Sequence, residues 1–223
     1  MKTVVAFDLD DTLFKEVDFL ESSYRCIARQ LSNKYRRLNY HDCLDKMFHS
    51  DNAFDSIIDY LSQYVTDHDE TVAWCIETYR THIPDISLST DTTTLLEALQ
   101  LKHTDMAIIT DGRINTQTNK IHALRLTRFV PEERIFISDA IGFDKTHPQA
   151  FTLLMNQYTD NTGFCYIGDN PAKDFYWPNR MGWKTFCLMD NTGRNVHRQD
   201  INLPDLYHPQ HKINNLSEIL LQI

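Results

Sequence analysis

Residues 3–13 read Thr-Val-Val-Ala-Phe-Asp-Leu-Asp-Asp-Thr-Leu, an apolar run that ends in acidic residues. The valines and the phenylalanine favour β-structure, and the run predicts a buried strand. Because side chains alternate along a strand, Asp8 and Asp10 leave it on the same side. Ligands of open α/β sheets bind at the carboxyl ends of the strands. The stretch therefore predicts two carboxylates that face one binding crevice.

The rest of the chain divides into a helical block and a region of alternating elements. Residues 15–84 show apolar residues at three- and four-residue steps, with nothing β-like between them, which predicts a helical insertion. From residue 85 onward strands and helices alternate, as in a parallel sheet covered on both faces. We thus expect an α/β core of residues 1–14 and 85–223. The later strands are predicted at 106–110, 134–138, 163–168 and 184–189, and the helices at about 92–102 and 114–126, near Pro148 and after Pro171.

The composition is that of an ordinary globular protein with an acidic surface. The 223 residues are 42% hydrophobic and 24% charged, and their formal net charge is −9. This charge argues against nucleic acid or an anionic membrane as the main partner. No apolar run reaches membrane-spanning length, and we expect no secretory leader. The five cysteines are widely spaced without a C-x-x-C pair, which argues against a disulfide framework and favours a cytoplasmic location.

Polar residues recur where the predicted strands end. Thr110-Asp111-Gly112 follows the second strand, and Asp169 follows the strand that ends at Gly168. Lys145 precedes a helix that is led by a proline, and Asp174 lies five residues beyond Asp169. With Asp8-Leu-Asp10-Asp-Thr12, these segments resemble, in order, the motifs of the haloacid dehalogenase (HAD) superfamily, and specifically of its phosphatases. The resemblance spans nearly the whole chain, and it implies a Rossmann-like core with residues 15–84 as an α-helical cap.

The resemblance implies a phosphatase whose chemistry explains the acidic pair. A carboxylate can accept a phosphoryl group, which splits hydrolysis into formation and breakdown of an aspartyl phosphate. Asp8 resembles that nucleophile, and Asp10 is placed to protonate the leaving alcohol and later to activate water. Ionised Asp8 and Asp169 with a phosphate dianion would hold about four negative charges, which a buried site does not tolerate unaided. Mg²⁺ is the expected cofactor, because it is a hard ion that bridges carboxylates and phosphate.

The resemblance also assigns the remaining ligands. The metal ligands would be the carboxylates of Asp8 and Asp169 and the backbone carbonyl of Asp10. Lys145, Thr110 and the amides of Asp111 and Gly112 would hold the phosphate. Asp174 would orient Lys145 or a water on the ion. Taken singly, each of these residues has a plainer interpretation, such as a strand-end turn, a helix cap or a solvated lysine.

The family leaves several activities open. Halide-removing members lack an acid at the position of Asp10, so dehalogenase activity is disfavoured. A phosphosugar mutase of the same fold keeps both aspartates, and a non-catalytic receiver-like phosphate-binding module also uses acidic strand ends, Mg²⁺ and a lysine. We favour hydrolysis of a small phosphate ester, a sugar phosphate or a nucleotide, because a cap of this size would exclude larger substrates. We expect a monomer or a homodimer.

Overall fold

The computed structural model describes residues 2–159 and 161–222. The described residues form one six-stranded sheet in which every neighbouring pair of strands is parallel. The spatial order of the strands is β3-β2-β1-β4-β5-β6. The strands are β1 (Lys2–Phe7), β2 (Asp105–Thr110), β3 (Ile135–Ile137), β4 (Thr162–Gly168), β5 (Lys184–Leu188) and β6 (His211–Ile213).

This strand order places β1 at the point where the direction of winding reverses. The chain proceeds outward from β1 to β2 and β3 on one side, and from β4 to β6 on the other. The crevice at such a switch point, beyond the carboxyl ends of the strands, is where open α/β sheets bind ligands. The predicted α/β class and the Rossmann-like parallel sheet are confirmed, and the acidic end of β1 lies at the switch point.

Helices cover the sheet and connect its strands. Val4 and Ala6 point into a cluster with Phe151, Tyr166 and Trp183, all of which are buried. The alternate residues of β1 are buried as well, so both faces of this strand are covered, as parallel sheets require. The helices are α1 (Glu16–Lys34), α2 (Tyr40–Phe48), α3 (Ala53–Tyr64), α4 (Val72–Thr81), α5 (Thr90–Leu101), α6 (Ile114–Ala123), α7 (Ser138–Ile141), α8 (Gln149–Met155) and α9 (Tyr176–Arg180).

The chain divides into two compact units, of which Asp18–Ile86 is the inserted one. This inserted unit is helical and contains α2, α3, α4 and nearly all of α1. Its core is a cluster of buried apolar residues that includes Ile27, Met47 and Leu61. Lys34 and Tyr35, at the end of α1, both donate to the carboxylate of Glu70 just before α4, each at 2.6 Å. The insertion therefore has its own apolar core and its own ion pair, in which Glu70 is buried and Lys34 is half exposed.

Several elements differ from the sequence prediction. The three- and four-residue steps of apolar residues predict a helical stripe that runs from Leu20 to Leu38. The structure ends α1 at Lys34, and Tyr35 and Leu38 lie in the turn before α2. Neither α2 nor β6 was predicted as a separate element, since each is short. The other predicted strands and helices are present with shifted ends. Among the described residues, no helix is both long enough and apolar enough to cross a membrane.

Candidate active site

A cavity of about 400 Å³ lies at the carboxyl ends of β1, β2 and β4. Its volume is within the range of small-molecule sites. Seven of the residues that line it carry carboxyl groups and two are lysines: Asp8, Asp10, Asp11, Glu16, Asp111, Asp144 and Asp169, with Lys145 and Lys173. An anionic ligand could enter so acidic a cavity only together with a cation.

The turn after β1 supplies the first group of carboxylates. The Asp8 amide donates to the carbonyl oxygen of Ile167 at 2.8 Å, which extends the sheet by one residue and fixes the start of the turn. Asp11 has a φ of 56° and its side chain accepts from the backbone amides of Glu16 and Val196. This tight turn brings Asp8 and Asp10 to the wall of the same cavity, as the alternation of the sequence predicts.

Lys145 is buried against two carboxylates. Its Nζ lies 2.9 Å from Asp8 Oδ1 and 2.6 Å from Asp174 Oδ1. Its backbone amide donates to Asp111 Oδ1 at 3.0 Å, which ties the loop before α8 to the end of β2. Although burial opposes it, the charges of Asp174 and Asp8 hold the pKa of Lys145 well above its usual value. The ammonium group is therefore charged and aimed at Asp8.

Asp174 occupies the centre of a network behind the cavity. Its Oδ1 accepts from Lys145, and its Oδ2 accepts from the backbone amides of Asp169 and Asn170 at 3.1 and 2.8 Å. Gly168 makes this packing possible, because a Cβ there would lie 2.6 Å from Asp174 Cγ. Asp174 is completely buried and its two oxygens are bonded by protein donors, so its carboxylate orients Lys145 and the loop of Asp169.

Carboxylate oxygens of Asp8, Asp169 and Asp174 lie within 4.8 Å of one another. Burial raises the pKa of the Asp8 carboxyl to about 8, although the ammonium group of Lys145 opposes the shift. Burial and the charges of Asp174 and Asp8 raise the pKa of Asp169 to about 9. In the protein alone, burial therefore favours the protonated forms of these two carboxyl groups. A divalent cation would replace those protons, because it supplies the positive charge that both carboxylates lack.

The end of β2 lies opposite the aspartates. Thr110 is buried, and its hydroxyl oxygen accepts from Gln117 Nε2 at 2.6 Å, which leaves its own proton for a further acceptor. The Gly112 amide, by contrast, already donates to Ser138 Oγ at 2.9 Å. An oxygen of a bound phosphate would have to take the place of that hydroxyl. Asp111 Oδ2 accepts from Lys173 Nζ at 3.0 Å, so the Asp111 side chain holds another residue of the cavity wall in place.

The structure brings together all eight residues that the sequence singled out. Seven of them line the cavity, and Asp174 touches Lys145 from behind. Two residues separate Lys145 from Pro148, and the ammonium group of Lys145 lies 2.9 Å from Asp8 Oδ1.

Sequence reasoning missed two further groups. Gln117 and Lys120, on α6, bond the carboxylate of Asp10. Polar side chains on the buried face of a helix were the signal for this pair. Asn195 donates to Asp169 Oδ2 at 3.0 Å from the loop after β5, and that loop carries no pattern that points to the site.

A family model and several solved structures are similar to the chain. The model of the haloacid dehalogenase-like hydrolases matches residues 5–188. No curated protein sequence matches the chain. Among solved structures, the magnesium-bound HAD hydrolase YfnB from Bacillus subtilis is 18% identical, with a TM-score of 0.64, and the match covers 100% of this chain and 99% of that one.

Two further solved structures are similar over the same length. A HAD phosphatase from Thermococcus onnurineus is 18% identical with a TM-score of 0.58, covering 100% of this chain and 97% of that one. A 2-haloacid dehalogenase from Pseudomonas syringae is 18% identical with a TM-score of 0.58, covering 100% and 99%. At this identity the structures share the fold, and the fold hosts both activities.

Proposed function

The chain belongs to the haloacid dehalogenase-like hydrolases, and on that premise we propose that it is a Mg²⁺-dependent phosphomonoester hydrolase. Its substrate would be a small phosphorylated metabolite, a sugar phosphate or a nucleotide, and its intermediate an aspartyl phosphate, the acyl phosphate of the Asp8 carboxylate. The observation that carries the proposal is the pairing of Asp8 with a second carboxyl group, Asp10, in one cavity. Departure of a halide needs no acid, whereas departure of an alkoxide does.

The donor set of the cavity fits a hard divalent cation. Within the described residues, protein donors reach one oxygen of Asp8 and one of Asp169, so each retains an oxygen for an ion. Carboxylate oxygens are the ligands that Mg²⁺ prefers. Asp8 and Asp169 would hold the ion, together with the backbone carbonyl of Asp10 by family resemblance. When bound, the ion supplies positive charge that offsets the charge of the transferring phosphoryl group.

The side chains of the cavity divide the reaction into two steps. In the first, an oxygen of Asp8 bonds to phosphorus while the bond from phosphorus to the leaving oxygen breaks, and Asp10 gives that oxygen its proton. In the second, Asp10 takes a proton from water as the water attacks the phosphorus and releases Asp8. Lys145 stays beside Asp8 and offsets negative charge on the phosphoryl oxygens. The hydroxyl of Thr110 donates to one of those oxygens from the opposite wall.

The test measures phosphate release from p-nitrophenyl phosphate by the purified protein, with MgCl₂ or with EDTA. We expect turnover only with the metal, and we expect Asp8→Asn to abolish it. Asp91→Asn, which changes an exposed aspartate in the first turn of α5, serves as the matched control and should retain full activity. Absence of turnover in the wild-type protein, or equal turnover in Asp8→Asn, would refute the proposal.

Companion assays separate the other activities of the fold. A panel of sugar phosphates and nucleotides identifies the substrate class by its kcat/KM. Interconversion of sugar-phosphate isomers without net release of phosphate would indicate a mutase instead. Release of chloride from a 2-chloro acid would indicate a dehalogenase. A lasting phosphoryl group on Asp8 after treatment with acetyl phosphate would indicate a receiver-like module.

A further inference from the structure

Helix α6 presents two buried polar side chains to Asp10. Gln117 and Lys120 are three residues apart, so they lie on the same face of the helix. Gln117 Nε2 donates to Asp10 Oδ2 at 2.9 Å, and Lys120 Nζ donates to Asp10 Oδ1 at 2.7 Å. Their exposed fractions are 1% and 2%. A lysine is almost never buried to this degree unless it is paired, and its partner here is the acid of the cavity.

Gln117 also links Asp10 to the opposite wall of the cavity. The same nitrogen that donates to Asp10 donates to Thr110 Oγ1 at 2.6 Å, so both hydrogens of the amide group are used. Gly112 leaves room for this side chain, because a Cβ at that position would lie 2.9 Å from Gln117 Cγ. The amide thus fixes the distance between a carboxyl group on the β1 turn and a hydroxyl group at the end of β2.

We propose that Gln117 and Lys120 are positioning residues that hold the carboxyl group of Asp10 in the orientation for proton transfer to the leaving oxygen. The proposal rests on the proposed hydrolase activity. Each carboxyl oxygen has two lone pairs, so one donor on each oxygen still leaves a position for the transferable proton. The two donors stop the Asp10 carboxyl group from rotating, so its transferable proton always points in the same direction.

The ammonium group of Lys120 has a second effect on the same step. As the bond from phosphorus to the leaving oxygen breaks, the proton of Asp10 passes to that oxygen and Asp10 becomes a carboxylate. The new negative charge forms 2.7 Å from Lys120 Nζ in a site with little water, where a fixed positive charge stabilises it most. Lys120 therefore favours the state in which Asp10 has given up its proton to the leaving group.

The experiment compares two substrates of similar size that differ in their need for an acid. p-Nitrophenolate leaves phosphorus without protonation, whereas phenolate is a much poorer leaving group and benefits from a proton. The measured quantity is kcat/KM, which reports the transfer to Asp8. We expect Lys120→Met to lower kcat/KM for phenyl phosphate about tenfold more than for p-nitrophenyl phosphate. The difference is smaller than the roughly 10²–10⁴-fold effect of a general acid, because the variant misplaces the acid and does not remove it. Asp10→Asn should show the same selectivity to a greater degree.

Lys173→Met is the matched control. It removes another ammonium group from the same cavity, but that group bonds Asp111 and not Asp10. We expect it to lower kcat/KM for both substrates by the same factor. Gln117→Met, which changes no charge, repeats the test in case the buried lysine is needed for folding, and it should show the same preference as Lys120→Met.

The outcomes separate this inference from the proposed function. A wild-type protein that hydrolyses neither aryl phosphate overturns the proposed function, and the inference falls with it. A wild-type protein that hydrolyses both, combined with equal losses for the two substrates in Lys120→Met and Gln117→Met, overturns only the positioning role. A selective loss for phenyl phosphate in either variant, with an unselective Lys173→Met, supports it.

Discussion

The buried carboxyl groups of Asp8 and Asp169 predict that the metal-free protein loses stability as the pH rises from 5 to 7. Burial raises their pKa values from 3.8 to about 8 and about 9, so between these limits the folded state holds protons that the unfolded chain has released. Stability then falls with pH, because the unfolded state binds fewer protons. Burial also raises the pKa of Glu16 to about 7, which acts in the same direction.

The magnitude follows from the number of protons retained. Each retained proton lowers the unfolding free energy by about 1.4 kcal/mol per pH unit, so the protons of Asp8 and Asp169 together lower it by about 5–6 kcal/mol between pH 5 and pH 7. Asp105 and Asp144 have lowered pKa values, so their contribution to the unfolding free energy is lost only when the pH falls below about 3.8. They do not affect the interval from pH 5 to pH 7. Mg²⁺ should remove most of the decline, since it binds the ionised carboxylates.

The Asp169→Asn variant isolates the effect. It keeps an acceptor for Asn195 but cannot ionise, so we expect the metal-free variant to be more stable than the wild type at pH 7 by roughly 4 kcal/mol, about 1.4 kcal/mol for each pH unit above the ordinary pKa of 3.8. We also expect a weaker dependence on pH and a smaller stabilisation by Mg²⁺. Asp91→Asn, an exposed aspartate on α5, is the control and should follow the wild type.

The assay is urea unfolding in EDTA or MgCl₂ at pH 5, 6, 7 and 8, followed by tryptophan fluorescence. A Trp74→Phe background removes the tryptophan of the inserted unit, so that Trp177 and Trp183 report the sheet unit alone. The reasoning is refuted if the metal-free wild type is equally or more stable at pH 7 than at pH 5. It is also refuted if Asp169→Asn is the less stable protein at pH 7 without metal.

Three further predictions concern individual contacts. Gly168→Ala should push its new methyl group against Asp174 and lower the unfolding free energy by about 1–3 kcal/mol, measured in urea, with loss of phosphatase activity; unchanged activity would contradict the packing. Asp190→Ala should lower kcat/KM about tenfold, because this carboxylate holds the loop of Asn195 through three backbone amides, and loss of these bonds should also lower the urea midpoint; an unchanged kcat/KM would contradict this role. Glu70→Gln should lower the urea midpoint of the inserted unit at pH 7 but not at pH 3. Burial raises the pKa of Glu70, but its hydrogen bonds lower it further, so the ionised carboxylate stabilises the fold above about pH 4.5 and this stabilisation is lost in acid. An equal effect of the variant at both pH values would exclude this origin.

The sequence by itself determined the α/β class, the parallel sheet and the acidic end of β1. These features depend on local periodicity, since the alternation of a strand and the apolar stripe of a helix are visible within a dozen residues. The segments around Thr110, Lys145 and Asp169 could be assigned because, with the acidic end of β1, they resemble the family's motifs in order, and each follows a strand or precedes a helix. The short elements α2 and β6 were not predicted separately, because nine and three residues show too few repeats of a pattern.

The partners of the buried groups were decided only by the tertiary structure. Lys120 and Asp10 are 110 residues apart in the chain, and no local pattern records that α6 packs its polar face against the turn after β1. The same holds for Asn195, whose loop reaches Asp169 from beyond β5. Hydrogen bonds and ion pairs act over a few ångströms, so which charges offset one another depends on how the sheet is wound, and the sequence does not show that winding.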